Sequence, residues 1–144
     1  MKVVRAETTA QRAGAYYVRI QAMAKKYHIT LEQEYDEHDI PDTKYIVLLD
    51  DDFPVATCRL YAIDEKSVML GRIVVLPEYR HRGIGSLSVT EAEKWAKELG
   101  FEKAVLEARE GKVGFYERLG FIADHDRVIN GETFTCIYME KNLE

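Results

Sequence analysis

The sequence predicts a mixed α/β domain spanning residues 1–144, built on one parallel strand–helix–strand unit with antiparallel strands on either side. Two observations carry this. An apolar run from Val68 to Leu76, a helical pattern from Gly83 to Leu99 and a second run from Lys103 to Ala108 follow one another in the order of a right-handed parallel crossover. Further short apolar runs come in pairs joined by turn residues, Asp50-Asp51-Asp52 in one case and Asn130-Gly131 in the other, as in antiparallel hairpins.

The elements read as follows. Lys2 to Ala6 is a strand, and a threonine of Glu7-Thr8-Thr9 can cap the helix that follows. From about Ala10 to Tyr27, Ala13, Tyr16, Tyr17, Ile20, Met23 and Ala24 recur at helical spacing and define an inner face, with Arg19 beside it. His28 to Tyr45 contains the acidic run Glu32 to Asp39, which reads as a solvated loop or short helix, with an acceptor-side lid as the alternative. Tyr45 to Leu49 and Val55 to Ile63 are strands. Ile84, Leu87, Ala92, Trp95, Ala96 and Leu99 form the inner face of the long helix, and Glu93 and Lys97 are spaced as an outer ion pair. Val113 to Leu119 is a short helix, and Phe121 to Val128 and Thr133 to Glu140 close the chain as a hairpin.

Composition narrows the function. With 47% hydrophobic and 31% charged residues the chain can bury a sizeable core. A formal charge of −5 argues against nucleic acid as a partner, and the four scattered histidines and two cysteines suggest no metal site. No apolar run approaches the roughly 20 residues that span a bilayer, and Met1 to Glu7 has no signal-peptide core, so no membrane association and a cytoplasmic location are expected.

One stretch demands a specific job. Ile73 to Leu76 ends at Pro77, and Arg80-His81-Arg82 then leads into Gly83-Ile84-Gly85 and the long helix. Glycines let backbone approach a ligand, and the first helical turn presents unpaired N–H groups whose dipole favours an anion. A pyrophosphate would meet backbone donors from His81 to Ser86, with Arg80 and Arg82 adding charge-assisted bonds. The Walker pattern is absent, and a dinucleotide fingerprint would need glycine or alanine where Ser88 stands.

Arg80-x-x-Gly83-x-Gly85 after an apolar strand resembles the coenzyme A motif of the GNAT superfamily of N-acetyltransferases, and Phe115-Tyr116-Glu117-Arg118-Leu119-Gly120-Phe121 resembles its Phe-Tyr-x-x-x-Gly-Phe segment. The resemblance covers nearly the whole chain. It implies a mixed sheet of six to seven strands flanked by about four helices, with a splayed parallel pair forming the coenzyme A crevice, and acetyl-coenzyme A as co-substrate without a metal. It places Val74, Val75 and Leu76 against the pantetheine arm, Arg80, His81, Arg82, Gly83, Ile84, Gly85 and Ser86 around the pyrophosphate, and Tyr116 as general acid. Glu107, on the following strand, is the candidate base; the asparagine that many members carry before the last catalytic helix is missing from Glu107-Ala-Arg-Glu-Gly-Lys112.

Within the superfamily the chain resembles a YjcF-like and ElaA-like bacterial branch through Val18-Arg19, Arg59, Gly71-Arg72 and Glu34-Tyr-Asp-Glu37. Converging arginines would suit an acidic or phosphorylated small-molecule amine, and structural salt bridges are the alternative. The leading expectation is acetyl transfer to such an amine by direct attack, because Cys58 and Cys136 lack a recognisable histidine partner for covalent relay. A coenzyme A-binding sensor without turnover, or a nucleotide-binding interaction domain, would fit the cradle alone. A homodimer is the oligomeric state that the resemblance brings to test.

Overall fold

The computed structural model describes all 144 residues. One seven-stranded sheet runs through it in the order β1 (Lys2–Arg5), β2 (Lys44–Asp50), β3 (Phe53–Ala62), β4 (Ser67–Val75), β5 (Lys103–Arg109), β7 (Thr135–Asn142) and β6 (Ile122–Asn130). Only β4 and β5 are parallel, and they pair solely from Ser67 to Met69 against Lys103 to Val105. Past that point β4 follows β3 as far as Val75 while β5 follows β7 as far as Arg109. A wedge therefore opens at the carboxyl ends of the two parallel strands.

Helices cover both faces. On one lies a continuous helical stretch, α1 (Thr9–Arg19), a π-helical turn at Ile20–Ala24 and the single turn α2 (Lys25–Tyr27), followed by the short α3 (Leu31–Glu34). Thr8 and Thr30 start α1 and α3 by reciprocal capping with Gln11 and Gln33, which satisfies backbone donors that would otherwise be orphaned. The other face carries α4 (Ile84–Glu98), whose Val89, Ala92 and Ala96 pack into the core with Ile46, Leu48, Cys58, Leu60, Leu70 and Leu106. The last helix, α5 (Val113–Arg118), lies on the α4 side, because Phe115 fills the space beside Gly85.

Several expectations shift on contact with tertiary structure. The buried face of α1 is Gly14, Ala15, Val18 and Arg19, while Ala13 is exposed. Small residues go inward because β3 and β2 approach closely: a Cβ on Gly14 would meet Pro54 of β3 at 3.3 Å and Val47 of β2 at 3.4 Å. Leu99 is exposed, Ser88 and Val89 replace it inside α4, and Glu93 pairs with Lys141 of β7 at 2.6 Å rather than with Lys97. Asp51 and Asp52 both adopt positive φ, 49° and 68°, as a two-residue hairpin turn requires. In the last hairpin Asn130 still pairs with Thr135, so the loop runs from Gly131 to Phe134. No helix is long and apolar enough to cross a membrane.

Candidate active site

The wedge is lined by three groups brought from distant parts of the chain. The first is the cradle. After β4, a 3-10 turn at Pro77–Tyr79 and two left-handed residues, His81 at φ 63° and Gly83 at φ 75°, swing the chain into α4. No backbone N–H from His81 to Ser86 has a hydrogen-bond partner in the protein; the first one engaged is that of Leu87, which bonds the Gly83 carbonyl. Glycine at position 83 serves two ends, since its φ is one that L side chains rarely adopt and the space where a Cβ would stand is open. Arg80, His81 and Arg82 are exposed, and neither arginine forms an ion pair; the Arg82 guanidinium lies 5.2 Å over the Tyr79 ring. Six free donors at a helix start and two unmatched cations make an anion seat.

The second group is Tyr116. It is 9% exposed, set edge-on between Phe115 and Phe121 at 5.0 and 6.1 Å, and burial pushes its phenol well above the ordinary value. Its hydroxyl carries a proton throughout the neutral range and is not among the buried atoms that lack both solvent and partner. Phe115 touches the Gly85 position at 3.5 Å, with Val75 at 3.8 Å, so the tyrosine stands where the cradle meets the end of β4.

The third group faces the other way. Glu107 alternates with buried Leu106 and Ala108 and is exposed on the opposite face of β5, near Tyr61, whose phenol is raised by burial and, against the Arg59 charge, by Asp36 and Glu107. Tyr61 stacks on His38 at 3.8 Å. Further along β5, Arg109 lies 3.8 Å over Phe134 and bonds the Tyr27 hydroxyl at 3.1 Å. Beside it a cavity of about 470 Å³ opens between Glu110 to Lys112 and the loop Thr133 to Thr135.

Arg19, Arg59 and Arg72 do converge, but onto the chain's own acidic run. Arg19, with no exposed surface, bonds Glu34 Oε2 at 3.1 Å and Asp39 Oδ1 at 2.6 Å. Arg59, 3% exposed, bonds Asp36 at 2.8 Å and Asp39 at 3.0 Å, and its Nε is left without a partner. Arg72 reaches Glu34 at 3.0 Å and Asp36 at 3.4 Å and keeps about a third of its side chain, 31%, in solvent. Burial opposes charge at Asp39, yet bonds from Arg19, Tyr45 and the Asp36 backbone outweigh it and hold the carboxyl far below the usual range. Asp36 is likewise held low against burial by Arg59 and the His38 amide.

The acidic run is therefore a clamped strap, not a solvated loop. Three arginines and three carboxylates match one another, and Arg19 and Arg59 have no surface left for an acceptor. Sequence spacing could not reveal this, because each arginine meets its carboxylate from 15 or more residues away. Arg72 was also hidden in another respect. Between Thr57 and Arg59 of β3 the partner shifts from Val74 to Gly71, so β4 carries an extra residue there, and Arg72 takes φ 47°. A non-glycine residue in that region costs about 1–3 kcal/mol unless its surroundings hold it.

Cys58 is fully buried and burial pushes its thiol up to about 12, which leaves no thiolate for relay chemistry. No group of three or more His, Cys, Asp or Glu residues is arranged to hold a metal ion.

Comparison with known proteins places this geometry. Residues 11–121 match the model of the acetyltransferase (GNAT) family. The uncharacterized N-acetyltransferase YjcF of Bacillus subtilis is 31% identical over 121 residues, covering 84% of this chain and 85% of YjcF. A crystal structure of a Lactobacillus plantarum protein superposes with a TM-score of 0.92 at 27% identity over 99% of this chain and 98% of that one. The PaiA N-acetyltransferase of Thermoplasma acidophilum, crystallised with coenzyme A, shares the fold with a TM-score of 0.72 at 19% identity over 99% of each chain. A cradle, a wedge and a protonated phenol assembled in one place, together with these matches, mean that the chain belongs to the GNAT family and is an acetyl-coenzyme A-dependent N-acetyltransferase.

Proposed function

We propose that the protein transfers an acetyl group to the primary amine of a small molecule by direct attack within a ternary complex. Arg80, His81, Arg82, Gly83, Ile84, Gly85 and Ser86 hold the pyrophosphate, and Val74, Val75 and Leu76 line the pantetheine arm as it enters the wedge. The unengaged N–H groups from His81 to Ser86 are the observation that carries the reading.

The thioester then lies between two faces. Glu107, on the strap side, accepts a proton from the ammonium through water, and the free amine attacks the carbonyl carbon. The tetrahedral intermediate collapses by breaking the carbon–sulfur bond, Tyr116, on the α4 side, protonates the departing thiolate, and the nitrogen of the new amide gives its surplus proton to solvent, from which the phenolate is reprotonated. Base and acid on opposite faces of one sheet let the proton enter the reaction on one side of the carbonyl and leave on the other. The acceptor occupies the region of Arg109, Tyr27 and Phe134. An anionic acceptor would be met by Arg72 and Arg109, since Arg19 and Arg59 are spent on the strap.

Calorimetric titration with acetyl-coenzyme A, with NAD and ATP as controls, tests the donor half. Selective binding of one acetyl-coenzyme A per chain is expected, and an amine screen for release of free coenzyme A thiol then tests turnover. Equal affinity for NAD and ATP would overturn the cradle assignment; tight binding with no turnover on any amine would favour a coenzyme A sensor.

A further inference from the structure

Arg72 is the only non-glycine residue of β4 with positive φ, and it stands at the bulge that follows the last parallel pair, Met69 with Val105, and precedes Val74. Bulges of this kind commonly use glycine for the left-handed position. Gly71 is adjacent, yet the left-handed turn falls on the arginine. The side chain explains why it can stay there. Its Nε and Nη2 bond the Glu34 carbonyl at 3.2 and 3.0 Å, and Nε also lies 3.0 Å from Glu34 Oε2. Glu34 is itself 2% exposed and gripped from behind by Arg19, through Oε2 at 3.1 Å and its carbonyl at 2.9 Å. The anchor is thus fixed to α1, and the bulge is fixed to the anchor.

We propose that Glu34 is a positioning residue for the acetyl donor: by gripping Arg72 it holds the β4 bulge left-handed and keeps β4 parted from β5 where the thioester lies. The inference rests on the reading that the wedge takes acetyl-coenzyme A. Glu34 touches no ligand in this scheme, and it acts through a backbone conformation that an L side chain resists.

Calorimetry with two probes tests it. Adenosine 3′,5′-bisphosphate meets only the cradle, whereas acetyl-coenzyme A must also enter the wedge. Arg72→Ala is expected to weaken acetyl-coenzyme A about tenfold, the scale of a left-handed penalty no longer offset, and Glu34→Gln, which removes the carboxylate but keeps the carbonyl that Arg72 also bonds, by about threefold, both leaving the bisphosphate within about twofold. Arg72→Gly is expected to restore acetyl-coenzyme A binding, because glycine takes this φ unaided. Adding Glu34→Gln to Arg72→Gly should cost nothing further. Equal loss in Arg72→Ala and Arg72→Gly would overturn the proposal in favour of direct ligand contact by the guanidinium. Unchanged acetyl-coenzyme A affinity in Arg72→Ala, or parallel loss of both probes, would also overturn it, the second as general loosening. Wild-type protein that binds neither probe would instead overturn the donor reading on which it rests.

Discussion

Tyr116 and Asp39 show how burial decides what a single residue can do. The Tyr116 phenol is buried among phenylalanines, and burial outweighs the opposing pull of the Arg109 charge, so it keeps its proton and suits an acid rather than a base. Tyr116→Phe is expected to lower turnover by about 10²–10⁴-fold, the usual share of a general acid, with acetyl-coenzyme A affinity unchanged; equal turnover in steady-state assays would remove the tyrosine from the mechanism. Asp39 and Asp36 titrate lower in the folded chain than in the unfolded one. Their stabilisation is therefore complete above the unfolded carboxylate value of about 4 and is lost as pH falls through the folded values. Thermal melts should show an acid limb beginning near there, and Asp39→Asn should flatten it while costing about 3 kcal/mol at neutral pH by stripping Arg19 of a counter-ion. The motif residues were legible because their meaning is local: glycine, basic run and helix start are contiguous. Arg19 was legible only as one of two alternatives, an acceptor contact or a structural salt bridge, because its partners Glu34 and Asp39 lie 15 and 20 residues away.

Among the elements, those with strong periodicity matched their expected type, and the differences lie where two elements meet. β2 to β5 and α4 occupy nearly the expected ranges, because alternation, Pro77 and Gly100 mark their ends locally. The π-helical turn at Ile20–Ala24 had no sequence signal, and the expected stripe missed the buried face earlier, within α1, where Ala13 and Tyr17 are exposed and Gly14, Ala15 and Val18 pack inward. The strap's order likewise comes from arginines on α1, β3 and β4, so no window of sequence contains it. The cradle turn, by contrast, can be tested as an element. Gly83→Ala forces a side chain into φ 75° at an otherwise open position, so the loss should fall on conformation and on ligand access, not on core packing. A stability cost of about 1 kcal/mol with a much larger loss of acetyl-coenzyme A affinity is expected by denaturant unfolding and calorimetry; a loss of stability with affinity intact would mean that the turn does not seat the ligand.

At the scale of the whole molecule, the mixed α/β architecture with antiparallel flanks was readable from element order, since one crossover helix between two apolar runs leaves few ways to build the sheet. How briefly β4 and β5 pair was not readable, because it depends on which neighbour each strand follows. That short seam, three residue pairs long, has a consequence for how the chain assembles. β1 to β4 come from residues 2–75 and β5 to β7 from residues 103–142, so every other strand pairing is made within one contiguous half of the chain. Each half can set its own register before the other is complete, and an emerging polypeptide would finish the amino-terminal sheet first. Docking of the halves across the seam, with α4 as the covalent bridge, is then the late step of folding, and the wedge proposed for acetyl-coenzyme A is the last part of the protein to exist.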